Sequence, residues 1–422
     1  MRAAAFGRKT SASSTDEKEA VLHFIGIDIA KKEHFAGIRA EDGAPLSRAW
    51  RFANDEGGFR SLLERLRSLG VEAEGSLVAM EATGHYWMAL FAHLSAHGFR
   101  IAVVNPSLVN AFRKADTMRR TKTDAVDCFL IAEHARFKRL APSELDPEDA
   151  EGLKLLTRYR AHLVDERTSL KNRATSVVDR VFPELSDLFD DLCSATPKAL
   201  IRKYPTPASV ASCDVRTLAK LVKEASRGHF GREKAEEVKA AARRSVGITF
   251  ALDSFSFELK HVIDLIDHID EQIGALEKTI SEVLGRTSGK WLATVPGIGD
   301  TLAAAITAEI GDPERFEGPK QLVAFAGMDA TKAESGSFVG TGEKMSKRGS
   351  HHLRFALMTA ADKARMYDPY FGDYYDSMIA RGKHHYVALS GVARKLCGVI
   401  LVLMKEQRAY ERRPSVQSEK KL

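Results

Sequence analysis

The stretch Phe24-Ile25-Gly26-Ile27-Asp28-Ile29-Ala30-Lys31-Lys32-Glu33-His34 decides how the N-terminal third of this chain is read. Phe24, Ile25 and Ile27 have the apolar, partly β-branched character of a buried strand, and Asp28 interrupts that run where the chain has to turn or bulge. A carboxylate there stands at the rim of a core. Taken alone it fits equally well a turn aspartate that bonds its own backbone.

Outward from it, three apolar runs, Leu22 to Asp28, His34 to Ala40 and Leu46 to Ala53, are separated by short polar segments such as Glu41-Asp42-Gly43-Ala44-Pro45 and predict a β-meander. Phe59, Leu62, Leu63, Leu66 and Leu69 then recur at helical spacing up to Gly70. Ser76 to Glu81 repeats the buried-strand pattern, Tyr86 to His97 predicts a helix and Ile101 to Asn105 a strand. Pro106 opens a basic helix and Lys122 to Arg136 forms another. The order βββαβαβα is that of a ribonuclease H-like α/β domain.

The 422 residues carry 63 Lys and Arg against 57 acids, a net charge of +6 and a pI near 9.0, which favours a polyanionic partner. Cys128, Cys193, Cys213 and Cys397 form no CxxC pair, so neither a zinc site nor a disulfide framework is expected. No uninterrupted apolar run reaches about 18 residues, and Met1 to Glu19 lacks the apolar core of a signal peptide. The expectation is a soluble, cytoplasmic protein with no membrane partner.

Residues 1–20 read as a disordered leader and 21–145 as the α/β domain. From 146 to 288 the chain is helical. Leu153, Leu156, Leu163, Leu170, Ala174, Val177 and Val181 share a heptad seam interrupted by Arg160 and Arg167, and Phe255, Leu259, Val262, Ile266, Ile269, Ile273, Leu276, Ile280 and Val283 alternate steps of four and three. Such a coiled-coil pattern fits an antiparallel hairpin inside one chain or pairing between subunits. Residues 289–408 form a third, helical region, and 409–422 a charged tail. Within it Trp291 to Asp300, followed by Thr301 to Ile310, has the form of a helix-hairpin-helix element, whose Gly297 and Gly299 either let backbone N–H groups approach a phosphate or serve the turn alone.

Four acids stand out. Asp28 and Glu81 end apolar strand patterns, while Asp124 and Asp127, three apart, project from one face of a helix start, where acids also suit the macrodipole. Convergence at one sheet end would make four carboxylates repel unless cations balance them. Two Mg²⁺ ions, which prefer oxygen ligands, would do so, and a pair about 4 Å apart stabilises both oxygens of a phosphoryl transfer. Arg100, Arg113, Lys114, Arg119, Arg120 and Lys122 nearby suit phosphate contacts or simply form a solvated basic face. The Gly- and Ser-rich segment from Gly327 to Ser350 includes Ser335, Ser337, Ser346, Lys347 and Arg348.

In order, Gly-Ile-Asp28-Ile-Ala-Lys, Met-Glu81-Ala-Thr-Gly, Lys-Thr-Asp124-Ala-Val-Asp127, Pro-Gly297-Ile-Gly299, and Glu-Ser335-Gly followed by Ser-Lys347-Arg348-Gly resemble the DEDD transposases of the insertion-sequence-110 family. That resemblance, from about residue 22 to about 408, implies a RuvC-like domain holding Mg²⁺ through Asp28, Glu81, Asp124 and Asp127, and a C-terminal transposase domain with Ser335 as nucleophile. It also implies a structured guide RNA, encoded by the element, that pairs with donor and target DNA. The Ser-Gly context favours Ser335 over Ser337 and Ser346. A phosphoserine ester would conserve bond energy, so strands could be rejoined without ATP; Lys347 and Arg348 would balance phosphate charge. A homo-oligomer, dimer or tetramer, formed through the coiled coil and with a site completed between subunits, is expected. The competing expectations are a RuvC-like junction nuclease using water and a non-enzymatic DNA-bridging coiled-coil protein.

Overall fold

The computed structural model describes residues 23–82, 84–116, 123–143, 148–330, 334–335, 338–339 and 345–413. The expected leader, the cations Arg119, Arg120 and Lys122, and Ser337 lie outside them. The chain divides into two compact units, Met1–Glu144 and Leu145–Leu422.

Unit 1 is built on a five-stranded sheet of β1 (His23–Asp28), β2 (Glu33–Ala40), β3 (Trp50–Ala53), β4 (Ser76–Glu81) and β5 (Arg100–Val104). Its order is β3-β2-β1-β4-β5, with β1–β2 and β2–β3 antiparallel and β1–β4 and β4–β5 parallel. Helices α1 (Glu56–Ser68), α2 (Trp87–Ala96), α3 (Pro106–Asp116) and α4 (Asp124–Lys138) complete it. The central strands are apolar without alternation because both faces are covered. Ile25, Ile27, Val78 and Met80 pack with Leu62, Leu66, Leu90 and Leu94 of α1 and α2. Their neighbours Phe24, Leu77, Ala79 and Val104 meet Val109 of α3 and Ile131 and Ala132 of α4 on the other face.

Two glycines allow that second layer. Gly26 and Gly37 face each other across β1 and β2. A Cβ on Gly26 would stand 1.9 Å from the Cys128 carbonyl oxygen and 2.5 Å from the Ala132 nitrogen, and one on Gly37 would stand 2.9 Å from Cys128 Sγ. The backbone of α4 therefore lies directly on the sheet. The third strand begins at Trp50 rather than at Leu46: the Arg39–Pro45 bridge and the Leu46 N–H bond to Ile38 stand two residues out of register with the Ala36–Trp50 pair, so the ladder is interrupted between them.

Among its described residues unit 2 is mainly helical, with a short β-ribbon. Its axis is a hairpin of α5 (Glu148–Val181) and α11 (Leu252–Leu284). The pairs Arg160–Glu277 at 2.6 Å, Arg167–Asp270 at 2.7 Å and Arg173–Glu258 at 2.8 Å ascend one helix while descending the other, so the hairpin is antiparallel. The heptad seams meet inside one chain, and the arginines that interrupt the first seam reach acids on the second.

Around one end of the hairpin pack α6 (Leu185–Leu188), α7 (Ala195–Lys203), α8 (Pro207–Ser212), α9 (Val215–Ala225) and α10 (Arg232–Arg243), sharing a core with Val177, Val181, Val262 and Ile266. At the other end Leu153, Ile280 and Leu284 join the core of α12 (Asp300–Ile310), α13 (Pro319–Phe325), α14 (His351–Tyr367), α15 (Pro369–Ala380) and α16 (His385–Glu406). The ribbon is β6 (Glu334–Ser335) paired with β7 (Phe338–Val339). By length and composition α16 could cross a membrane, but it is mostly buried in this core.

Gly26→Ala should destabilise unit 1 by about 3 kcal/mol or more, because its methyl meets helix backbone that cannot rotate away. Gly57→Ala, at an exposed position in the first turn of α1 with no close neighbour but Asp55, should stabilise by roughly 0.5 kcal/mol. Urea denaturation of the two variants checks both.

Candidate active site: an acidic strand end and a serine ribbon

Asp28 and Glu81 each stand one residue past the Ile27–Met80 pair, at the carboxyl ends of adjacent parallel strands. Strand alternation puts both on the face that carries α4. Thr123 precedes the first turn of α4, which bears Asp124, exposed, and Asp127, only 5% exposed. Burial first, and then the nearby carboxylates of Asp28 and Asp127, push the Cys128 thiol up to about 12.

Asp127 is engaged. Its Oδ1 lies 2.9 Å from Arg113 Nη2, at an angle that makes no hydrogen bond to this buried oxygen. Arg113 is set there by its neighbour Phe112, whose ring rests 5.1 Å from that of His134 and 5.8 Å from that of Phe137 on α4. Among the described residues no three His, Cys, Asp or Glu side chains gather into a metal-holding group. Asp28 and Glu81 lie at the end and on the face of the sheet that carries α4, whose first turn bears Asp124 and Asp127, and carboxylate oxygens are the donors a hard divalent cation takes. Lys114 is exposed near the end of α3. Arg100 opens β5 beside Leu77 and lies at the opposite end of the sheet from the acids, contrary to its expected place among the flanking cations.

The turn after Asp28 is held by residues that sequence reasoning passed over. The Ala30 N–H donates to His34 Nδ1 at 3.2 Å, the Asn54 N–H donates to the Lys32 carbonyl at 2.9 Å, and Asn54 Nδ2 donates to the Lys31 carbonyl. The His34 ring is fully buried against Phe52 and Phe59. The available signal was a histidine at the first inward position of an apolar strand.

In unit 2, Ser335 pairs with Phe338 in the ribbon, next to its tip. The segments leading to and from the ribbon are stitched together: Lys347 N–H to Gly327 O, Ser346 N–H to Asp329 O and Ser350 N–H to Phe325 O, with Arg354 and Arg394 donating to the Ala326 and Met328 carbonyls. Gly327, at φ +66°, and Gly349 approach so closely that a Cβ on either would strike backbone of the other. The Ser346 hydroxyl donates to Asp329, and Lys347 and Arg348 are exposed. Ser350 caps α14 and donates to the buried Glu309, whose other oxygen pairs with Arg158 at 2.8 Å.

The two hairpin glycines differ. Gly297, at φ +89°, lies against α14, where a Cβ would come within 2.9 Å of the Lys363 carbonyl, so packing requires it. Gly299 at the start of α12 has open space around its Cα.

A DEDD-type family described as Transposase matches residues 25–183. A second, described as Transposase IS116/IS110/IS902 family, matches residues 289–376. The chain is similar to the uncharacterized 44.8 kDa protein of insertion element IS116 of Streptomyces clavuligerus, 29% identical with 93% of this chain and 97% of the relative covered. It is 26% identical to the IS110 protein of Streptomyces coelicolor, over 94% of this chain and 97% of the relative. It is also 23% identical to the pilin gene-inverting protein of Moraxella bovis, over 92% and 98%. Both family matches place the chain in one class, the transposases. Within that class it belongs to the IS110 family. Its substrate is therefore DNA and its activity DNA-cleaving, in a family of generally metal-dependent enzymes.

Burial pushes His34 below its ordinary value, opposed in part by Asn54, and burial likewise pushes His93 and His134 down. Below about pH 6.5 the unfolded chain binds protons that these folded rings do not. Stability of unit 1 should thus be full above that pH and fall on acidification, by several degrees in melting temperature between pH 7.5 and 5.5. His34→Gln should flatten the dependence in thermal melts.

Proposed function

We propose that the chain is a site-specific recombinase that cleaves and rejoins DNA by Mg²⁺-dependent phosphoryl transfer, with Ser335 as nucleophile. The observation that supports this most directly is the placement of Asp28 and Glu81 on adjacent parallel strand ends beneath the first turn of α4. The strand order β3-β2-β1-β4-β5, with β2 alone running against the other four, agrees with a ribonuclease H-like reading of the sheet. Asp28, Glu81, Asp124 and Asp127 would hold the cation, which supplies neutralisation of charge on the transferring phosphate and on the serine oxygen. Ser335 Oγ gives up its proton and attacks a DNA phosphorus; the new Oγ–P bond replaces the bond to one DNA oxygen, which leaves as a strand-terminal hydroxyl. Attack by another strand end reverses the step, so no external energy source is needed. Lys347 and Arg348, exposed at the foot of the ribbon, would bind the strand backbone.

The name of the pilin gene-inverting relative agrees with recombination rather than simple cleavage. An element-encoded guide RNA belongs to the reading through the family resemblance. So does a homo-oligomer, dimer or tetramer. With the heptad seams facing each other inside the chain, its contacts would use outward residues such as Leu155, Tyr159 and Phe257, which are exposed.

Trapping tests the chemistry. With a suitable DNA and RNA, wild type should give a covalent protein–DNA adduct on denaturing gels, and Ser335→Ala none; an adduct in that variant would sink the serine assignment. Asp28→Asn and Asp124→Asn should each lower cleavage by at least about 100-fold, as expected when electrostatic stabilisation of the transition state is lost.

Arg113 allows a test without turnover. Arg113→Gln leaves the Asp127 carboxylate buried without its cation and should cost unit 1 about 3 kcal/mol in the absence of divalent ions. Added Mg²⁺ should restore more stability to this variant than to wild type. Equal Mg²⁺ effects in the two proteins would argue against cation binding at Asp127.

A further inference from the structure

Unit 2 holds a groove of about 550 Å³, with α14 as one wall, α5 as the other and α12 as its floor. Phe355, Thr359, Lys363 and Tyr367 recur every four residues on one face of α14, and all four line it. Phe355 is 75% exposed and Tyr367 60% exposed. Lys363 makes no ion pair among the described residues. On the opposite wall, Arg158 and Arg160 are fixed by Glu309 and Glu277. The floor carries Asp300, Thr301, Leu302, Ala305 and Glu309 of α12, with Gly299 at its end; Glu309 is paired with Arg158, and Asp300 accepts from the Ser281 hydroxyl.

The chemistry of this face narrows its occupant. A partner helix or a second copy of the chain would need a continuous apolar stripe, whereas here two rings are separated by a hydroxyl and an ammonium. Duplex DNA offers phosphates, but its base faces are already stacked on one another. An unpaired strand offers both, and alternation of rings with cations is how proteins hold such strands. A transposase that opens DNA strands has unpaired ends to hold until they are rejoined.

We propose that this groove binds unpaired DNA, with Phe355 and Tyr367 as stacking platforms and Lys363 against an intervening phosphate. The helix rise places the two rings about 18 Å apart along the wall. The proposal rests on the DNA-acting reading above but on neither the metal nor Ser335, so it is measured with EDTA present.

Full-length protein is titrated into labelled oligo-dT and into a labelled duplex of equal length, followed by fluorescence anisotropy. Phe355→Ala should weaken oligo-dT binding roughly 10-fold or more while duplex affinity stays within about twofold, and Phe355→Trp should retain it. Lys363→Gln should reduce the salt slope for oligo-dT by about 0.7. Unchanged oligo-dT binding in Phe355→Ala, a parallel loss on duplex, or preference of the wild type for oligo-U would each overturn the assignment. A fall in molar mass of Phe355→Ala by light scattering would overturn it in favour of a contact between copies. If wild type bound duplex but never oligo-dT, the groove alone would fail; if it bound neither, the DNA-acting reading would fail with it.

Discussion

The candidate active site depends on a contact that contains no side chain on one side. At Gly26 the sheet presents bare backbone, and α4 lies on it closely enough that a single methyl would displace the helix. Interiors packed at crystal-like density do not absorb such a shift gradually. The contact sets the height and phase of α4 above β1, and with them the positions of Asp124 and Asp127 relative to Asp28 and Glu81. Gly37, opposite Gly26 on β2, extends the same seat by one strand.

The electrostatics follow from that seat. Asp127, buried by its place on the sheet side of α4, cannot be left as a lone charge. Arg113 from α3 meets it, held by the aromatic contact of Phe112 with α4. In unit 2 a comparable logic operates through Glu309, buried in α12, which is joined to Arg158 of α5 on one side and to the Ser350 cap of α14 on the other. Each buried acid thus ties together helices that would otherwise meet only through apolar surface.

Much of unit 1 was legible in the sequence because its information is local. The unbroken apolar runs of β1 and β4 announce strands covered on both faces, and Gly70 and Pro106 punctuate the helices. Leu46 misled because the alternation continues through it, while a two-residue slip of register against β2 interrupts the ladder before Trp50. The heptad residues of α5 and α11 were plain, but an a/d pattern is the same whether its partner is the same chain or another. Only the descending partners of Arg160, Arg167 and Arg173 decide that. Arg113 looked like a phosphate contact because its target, Asp127, is brought to it by tertiary packing alone. His34 and Asn54 escaped notice because their role is to bond backbone in a neighbouring turn, which no side-chain pattern reveals. Ser335 stands in a stretch without periodicity, and only family likeness singled it out.

The α5–α11 hairpin also limits how this unit can change over evolutionary time. Its two helices join the core of α6 to α10 at one end to the core of α12 to α16 at the other, as a strut with no break in either helix. Inserting a single residue in each helix would turn one core against the other by about 100°. Inserting seven in each would lengthen the strut by about 10 Å and nearly keep the facing. Variation in its length should therefore come in whole heptads, matched in both helices, with the ion-pair ladder shifted by the same step.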